Sequence, residues 1–205
     1  MMQTIRLFIA SIALAAVAAG GWFAYRLAGP PPLPRTATVL PAPADLPEFS
    51  LVDGHGNAFD RDSLRGSWSL LFFGFTHCPD VCPLTLQALA SARQELETAG
   101  IEPLPRIVFV SVDPERDTAE VVRDYAAHFG AATTGVTGDM TQLRQLTNGL
   151  GIFFQKSNRE SDNYSVDHSA VVLLVGPDAK FHALFGAPHE AANFVHDLPL
   201  IMASR

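Results

Sequence analysis

Two cysteines, Cys78 and Cys82, are the only thiols in 205 residues, and they sit in the segment Cys78-Pro79-Asp80-Val81-Cys82. Sulfurs this close in sequence can form a disulfide, work as nucleophile and resolving thiol, or share one metal ion, because residues four apart meet on a helical turn. One pair is too few to staple a small secreted scaffold, which leaves both thiols available for chemistry. Pro83 follows directly, and proline favours the first position of a helix, where a backbone N–H would have no partner. Cys82 is therefore expected where a helix begins, and the unpaired N–H groups and dipole at that end should ease ionisation of both thiols.

Two thiolates leave a metal ion incompletely coordinated, so a third ligand is needed. Of seven histidines, His168 stands in Val166-Asp167-His168-Ser169, just before the apolar run Ala170–Val175. His77 adjoins Cys78, but neighbours in an extended turn point apart, which suggests a supporting part only. Asp80 is expected to shape the loop by accepting backbone N–H groups. Asp113 lies at a strand end and reads as a residue that orients the site or forms a turn, and Asp117 with Glu120 reads as a helix-capping pair. His55, His128, His182, His189 and His196 fall on a turn, a hairpin and helices and read as surface or packing residues. The sequon Asn163-Tyr164-Ser165 is too short to weigh.

The elements that must position these residues follow from hydrophobic patterning. Trp68 to Phe75 is a continuous apolar run of strand length, as in a strand buried on both faces, and a helical pattern spans Leu84 to Ala99. A second buried strand, Ile107 to Val112, ends at Asp113-Pro114 and precedes a helix from about Thr118 to Phe129. A short strand near Gly135-Val136-Thr137 and a helix from Met140 to Asn148 come next. The strands Ala170–Val175 and Lys180–Phe185 form a hairpin, and a last helix runs from about His189 to Met202. An additional hairpin, Phe49–Val52 with Ala58-Phe59, stands in front. This order predicts an α/β, thioredoxin-like fold with a parallel centre and an extra N-terminal β-hairpin. In such a sheet the point before Ala170, where thioredoxins carry a cis proline, faces the strand-to-helix turn that bears the cysteines, and His168 occupies it.

The amino-terminal end is of another kind. Leu7 to Tyr25 carries no charge and approaches the ~20 residues that cross a bilayer, which predicts a single transmembrane helix within 1–28; a cleaved signal peptide with Ala16-Val17-Ala18 at its processing site is the alternative. Arg6 lies on one side and Arg26 and Arg35 on the other, so charge gives no orientation. Seven prolines between Gly29 and Pro47 predict a semi-rigid linker over 29–47, with the folded domain at 48–205. The formal charge of −7 excludes a protein that wraps nucleic acid, since phosphate binding needs clustered Lys and Arg.

Two thiolates and an imidazole suit soft Cu(I) and accept Cu(II) with a fourth ligand such as water; zinc would take the same set. The polar stretch Gln155 to Val166 predicts a segment that lets His168 swing away while the sulfurs pass the ion on. The rival chemistry is a thiol–disulfide reductase with Cys78 and Cys82 as its redox-active pair, and a peroxidase is a third possibility that leaves the imidazole without a task.

The segments Thr76-His77-Cys78-Pro79-Asp80-Val81-Cys82-Pro83-Leu84-Thr85-Leu86, Ser111 to Thr118 (SVDPERDT) and Val166 to Phe181 (VDHSAVVLLVGPDAKF) resemble the Sco/SenC family in order and spacing over roughly residues 48–205. The resemblance implies a membrane-anchored protein that binds one copper ion, Cu(I) or Cu(II), through Cys78, Cys82 and His168. It further implies delivery of copper to the dinuclear copper site of cytochrome c oxidase subunit II, or maintenance of that site's cysteines in reduced form. The globular domain would then face the periplasm, or an equivalent space, from the cytoplasmic membrane. Ala179 stands where glycine is usual in the family's turn.

Overall fold

The computed structural model describes the backbone of residues 2–28, 32–157 and 164–203, and the side chains of all of these but 2–9, 24 and 26–28. The chain forms two units, Met1–Leu33 and Pro34–Arg205. The first is built on α1 (Met2–Ala28). Among the described residues no helix is long and apolar enough to cross a membrane; the uncharged span read from the sequence includes residues whose side chains lie outside that set.

In the second unit the elements follow as β1 (Ala37–Asp45), β2 (Ser50–Asp53), β3 (Ala58–Asp60), β4 (Ser69–Gly74), α2 (Val81–Thr98), β5 (Arg106–Ser111), α3 (Ala119–Ala127), β6 (Thr133–Thr137), α4 (Met140–Leu150), β7 (Phe154–Lys156), β8 (Val166–His168), β9 (Val171–Val175), β10 (Lys180–Gly186) and α5 (Ala191–Ala203). The main sheet has the order β1-β10-β9-β4-β5-β6-β2-β3, with β7 and β8 as a separate two-stranded ribbon. β4, β5 and β6 are parallel, and β9 returns antiparallel against β4. The front hairpin β2–β3 extends the sheet beyond β6.

The site hangs from the middle of this sheet. Every residue of β4 is buried, and Leu70, Leu71, Phe72 and Phe73 are at most 1% exposed. Burying each such side chain contributes about 1.5–3 kcal/mol, so the end of β4, where the cysteine turn starts, is firmly fixed. Helix α2 buries Cys82, Thr85, Leu86, Leu89, Ala92 and Leu96, a stripe at helical spacing whose first member is a sulfur.

Part of the segment expected as a proline-rich linker over 29–47 is a strand instead. From Ala37 to Asp45 it is an edge strand paired with β10, and its register breaks between Val39 and Ala44. Pro41 and Pro43 lie inside that break, where an edge strand tolerates residues that cannot donate to the ladder. Asp197 of α5 fixes the entry to this strand: its buried carboxylate accepts the backbone N–H groups of Arg35, Thr36 and Ala37 at 2.7–2.9 Å. These bonds hold the Asp197 carboxyl far below the usual range against the burial that opposes ionisation.

Candidate metal centre

Helix α2 begins at Val81, with Asp80 at its N-cap position. Cys82 is thus the second helical residue and Pro83 the third, two places further in than the sequence suggests. Pro83 still falls within the first turn, where no N–H is missed; the first helical bond runs from Leu84 N–H to the Asp80 carbonyl at 3.2 Å. Cys78 lies in the turn before the helix, so the two cysteines do not share a helical turn. They meet because the Cys82 N–H, an orphan of the helix end, donates to the Cys78 sulfur at 3.4 Å.

The third member arrives from β8. His168 Nε2 is 3.3 Å from the Cys82 sulfur, and the ligand atoms of Cys78, Cys82 and His168 all lie within 4.8 Å of one another. His168 Nδ1 faces the Ser169 carbonyl at 3.3 Å. A carbonyl only accepts, so Nδ1 is the donor there, and Nε2 is the nitrogen turned to the sulfurs, able to lend its lone pair to a metal ion. The rings of Phe72 and Phe75 stand edge-on to the imidazole, each 6.0 Å away, and keep water from that side.

The thiols do not behave alike, contrary to the sequence expectation. A hydrogen bond from the Cys82 thiol, helped by His168 and by the N–H groups of Asp80 and Cys82, draws the Cys78 pKa down to about 4 although burial opposes it. Cys82, the donor in that bond and fully buried, is pushed far above the ordinary thiol range. One site proton thus rests on Cys82 while Cys78 is a thiolate. In the reduced, metal-free protein, labelling of Cys78 by iodoacetamide is expected to level off by about pH 6, since the thiolate is already complete there, whereas an ordinary thiol keeps gaining up to ~8.5. Mass spectrometry of the labelled peptide against pH checks this; a tenfold rise per pH unit between 6 and 8 would show that the thiolate is not held.

Gly74, which the sequence reading passed over, makes room for Cys82. A Cβ at this position would lie 2.6 Å from the Cys82 sulfur and 3.1 Å from the Phe109 ring. The signal was a glycine closing an otherwise bulky apolar strand, which often marks a close approach.

The supporting residues are distributed differently from expectation. Asp117 is not half of a capping pair; Thr118 caps α3, its hydroxyl accepting from the Val121 N–H. The Asp117 carboxylate is buried under the cysteine turn and accepts Thr76 N–H at 2.9 Å, Thr76 Oγ1–H at 2.6 Å and Ser111 Oγ–H at 2.5 Å. Thr76 spends its only hydroxyl proton there, so it accepts from His77 Nδ1 at 3.1 Å. That bond leaves the His77 ring largely exposed and outside the group of metal-ligating atoms. Asp80 makes no side-chain capping bond; its contribution to Cys78 is its backbone N–H. Asp113 is fully buried and accepts from Arg116 Nε at 2.5 Å and Tyr164 OH at 2.6 Å. Among the other histidines, His182 Nε2 pairs with Asp178 and His189 Nε2 donates to the Ala170 carbonyl, both as packing residues.

The stretch expected to let His168 swing carries paired strands at both of its ends. β7 and β8 join antiparallel, with Phe154 opposite His168, and Ser157 N–H donates to the Ser165 carbonyl at 2.9 Å; residues 158–163, with Asn163 of the sequon, lie outside the described residues.

Known proteins resemble this chain in sequence and in fold. The crystal structure of Arabidopsis thaliana ScoI with copper bound matches with a TM-score of 0.74 at 33% identity, covering 79% of this chain and 100% of that one. An SCO2-like protein of Rickettsia felis is 35% identical over 153 residues, 72% of this chain and 74% of its own length. The mitochondrial SCO1 homolog 1 of Arabidopsis thaliana is 38% identical over 143 residues, 69% of this chain, and the matched part spans 42% of that protein. The fold is therefore the mixed α/β, thioredoxin-like one that Sco structures have. The SCO1/SenC family model matches residues 40–203, and with its two sulfurs and imidazole gathered at one point the chain belongs to the SCO1/SenC family.

Proposed function

We propose that this protein is a copper metallochaperone: it carries one copper ion on Cys78, Cys82 and His168 and hands it to the cysteines of the dinuclear copper site in cytochrome c oxidase subunit II or a similar protein. The observation that carries this reading is the convergence of two sulfurs and one imidazole nitrogen within 4.8 Å. Thiolates select soft Cu(I), and an imidazole suits both copper states. Copper in the related Arabidopsis thaliana structure supports the choice of metal.

The unequal thiols suit release as well as capture. Binding displaces the Cys82 proton, and an incoming partner thiolate can replace one protein ligand at a time. When the copper leaves, Cys82 takes a proton back readily, because its environment strongly favours the thiol. The uncharged amino-terminal segment would tether the carrier to the inner membrane with the folded unit in the periplasm or an equivalent space; retention in the membrane pellet after carbonate extraction tests that part.

Copper stoichiometry and Cu(I) affinity of the purified chain, wild type against His168→Ala, test the main reading. The wild type is expected to bind one ion, and the variant to lose more than about tenfold in affinity while both thiols remain. A second reading, a reductase that keeps the partner's cysteines reduced, is favoured by the Cys78 thiolate lying beside a protonated Cys82, the arrangement of a nucleophile and a resolving thiol. Weak copper binding in both proteins with persistent disulfide exchange would select it.

A further inference from the structure

His168 is carried by a ribbon too small to hold itself. β7 and β8 have three residues each, and an isolated two-stranded pair is at best marginally stable in water. Something else must fix where the imidazole stands.

Phe154 and Val166 pack their side chains into the core, and a set of polar and cation–π contacts converges on Tyr164, two residues before β8. Its hydroxyl donates to Asp113 at 2.6 Å, and its carbonyl accepts from Arg116 Nη1 at 3.0 Å. The Arg116 guanidinium lies 3.6 Å from the centre of the Tyr164 ring, and the Lys156 ammonium is 4.3 Å from the same ring. Asp113, fully buried, has its second oxygen occupied by Arg116 Nε at 2.5 Å. Burial and the Asp113 carboxylate both keep the Tyr164 phenol protonated, hence a donor. Arg116 also stands 5.8 Å from the Phe75 ring, which in turn meets the His168 ring edge-on at 6.0 Å. One arginine therefore touches both the anchor of the ribbon and the aromatic wall behind the imidazole.

We propose that Tyr164, clasped by Asp113 and Arg116, is a positioning residue that holds β8 so that His168 can act as the third copper ligand, and that the strength of this clasp sets how firmly the ion is retained. The inference rests on the metallochaperone reading. Its physical basis is that a ligand is only as useful as its orientation, and groups that fix a ligating histidine are worth about 10–100-fold in metal affinity. Tyr164→Leu removes the hydroxyl bond and the ring stack together, whereas Tyr164→Phe keeps the stack and the carbonyl bond.

The test is a double-mutant cycle on the full chain, with Cu(I) affinity read by competition with a chromophoric chelator. Tyr164→Leu is expected to weaken binding about 10–100-fold in the wild-type background and to have no further effect in His168→Ala. Tyr164→Phe should fall between wild type and Tyr164→Leu. Equal loss in both backgrounds would mean that Tyr164 acts on general stability, and the proposal would be wrong. Unchanged affinity in Tyr164→Leu, with a clear loss in His168→Ala, would overturn the clasp and leave the metallochaperone reading intact. No loss in His168→Ala itself would overturn the ligand set. Should Tyr164→Leu fail to fold, Tyr164→Phe and Arg116→Lys carry the same cycle, and their independence from His168 would be the refuting result.

Discussion

Cys82→Ser is expected to abolish tight copper binding, with a loss greater than the roughly 10–100-fold that follows removal of a group merely supporting a ligand. A serine hydroxyl does not ionise near neutral pH, and it is a hard donor where Cu(I) seeks soft ones. The change is nearly isosteric, and the new hydroxyl still finds His168 Nε2, which lies 3.3 Å from the present sulfur. The fold should therefore survive. Chelator competition for Cu(I) together with a thermal melt separates the two effects. A variant that melts like the wild type and binds copper equally well would remove Cys82 from the ligand set. The buried end of the pair is the more informative one to change, because Cys82 is fixed on α2 against Gly74.

Asp117→Ala should be the most destabilising change near the site that touches no ligand. It strips three donors, Thr76 N–H, Thr76 Oγ1–H and Ser111 Oγ–H, of their common acceptor; Asp117 and Ser111 are fully buried and Thr76 is half-buried. Each buried donor left unpaired costs about 1–3 kcal/mol, so three give about 3–9 kcal/mol, toward the lower end because half-buried Thr76 can reach water. That is a large part of the ~5–15 kcal/mol by which a domain is usually stable. Thr76 is two residues from Cys78, and copper affinity should fall with the stability. Asp117→Asn keeps one carbonyl oxygen and should cost clearly less. Urea unfolding of the three proteins measures this, and a midpoint for the alanine variant equal to that of the wild type would show that the carboxylate does not organise the turn.

Both expectations come from contacts of unequal visibility in the sequence. Cys82 declares itself, since few residue types bind soft metals and its partner is four positions away. Asp117 does not. Aspartate just before a helical pattern looks like a cap, and Thr118, its neighbour, competes for the same task; only the folded chain shows that Thr118 takes the cap while Asp117 turns inward. The decisive partner, Thr76, is 41 residues away, beyond any local pattern. Gly74 is an intermediate case: its position at the end of β4 hinted at a close approach, but the object approached was not deducible.

The edge strand β1 and the ribbon β7–β8 were missed for a shared reason. Pro41 and Pro43 argue locally against a strand, and Gln155 to Val166 is polar enough to argue for none. In both cases pairing with a distant strand outweighs local preference, β10 for the first and the ribbon partner for the second. The Asp197 carboxylate, which ties down the residues leading into β1 from a helix 160 positions on, is of the same long-range kind.

By itself the sequence determined the donor atoms, the order of the central strands and the helices between them, and the family resemblance, because residue chemistry and hydrophobic period are local properties. The tertiary structure alone decided how those donors differ: which sulfur is ionised, which imidazole nitrogen faces it, and what holds each in place. Those properties depend on burial, on the approach of His168 to Cys82 across 86 positions, and on supports such as Asp117 to Thr76 and Tyr164 to Asp113, 41 and 51 positions apart, and such distances close only when the chain has folded.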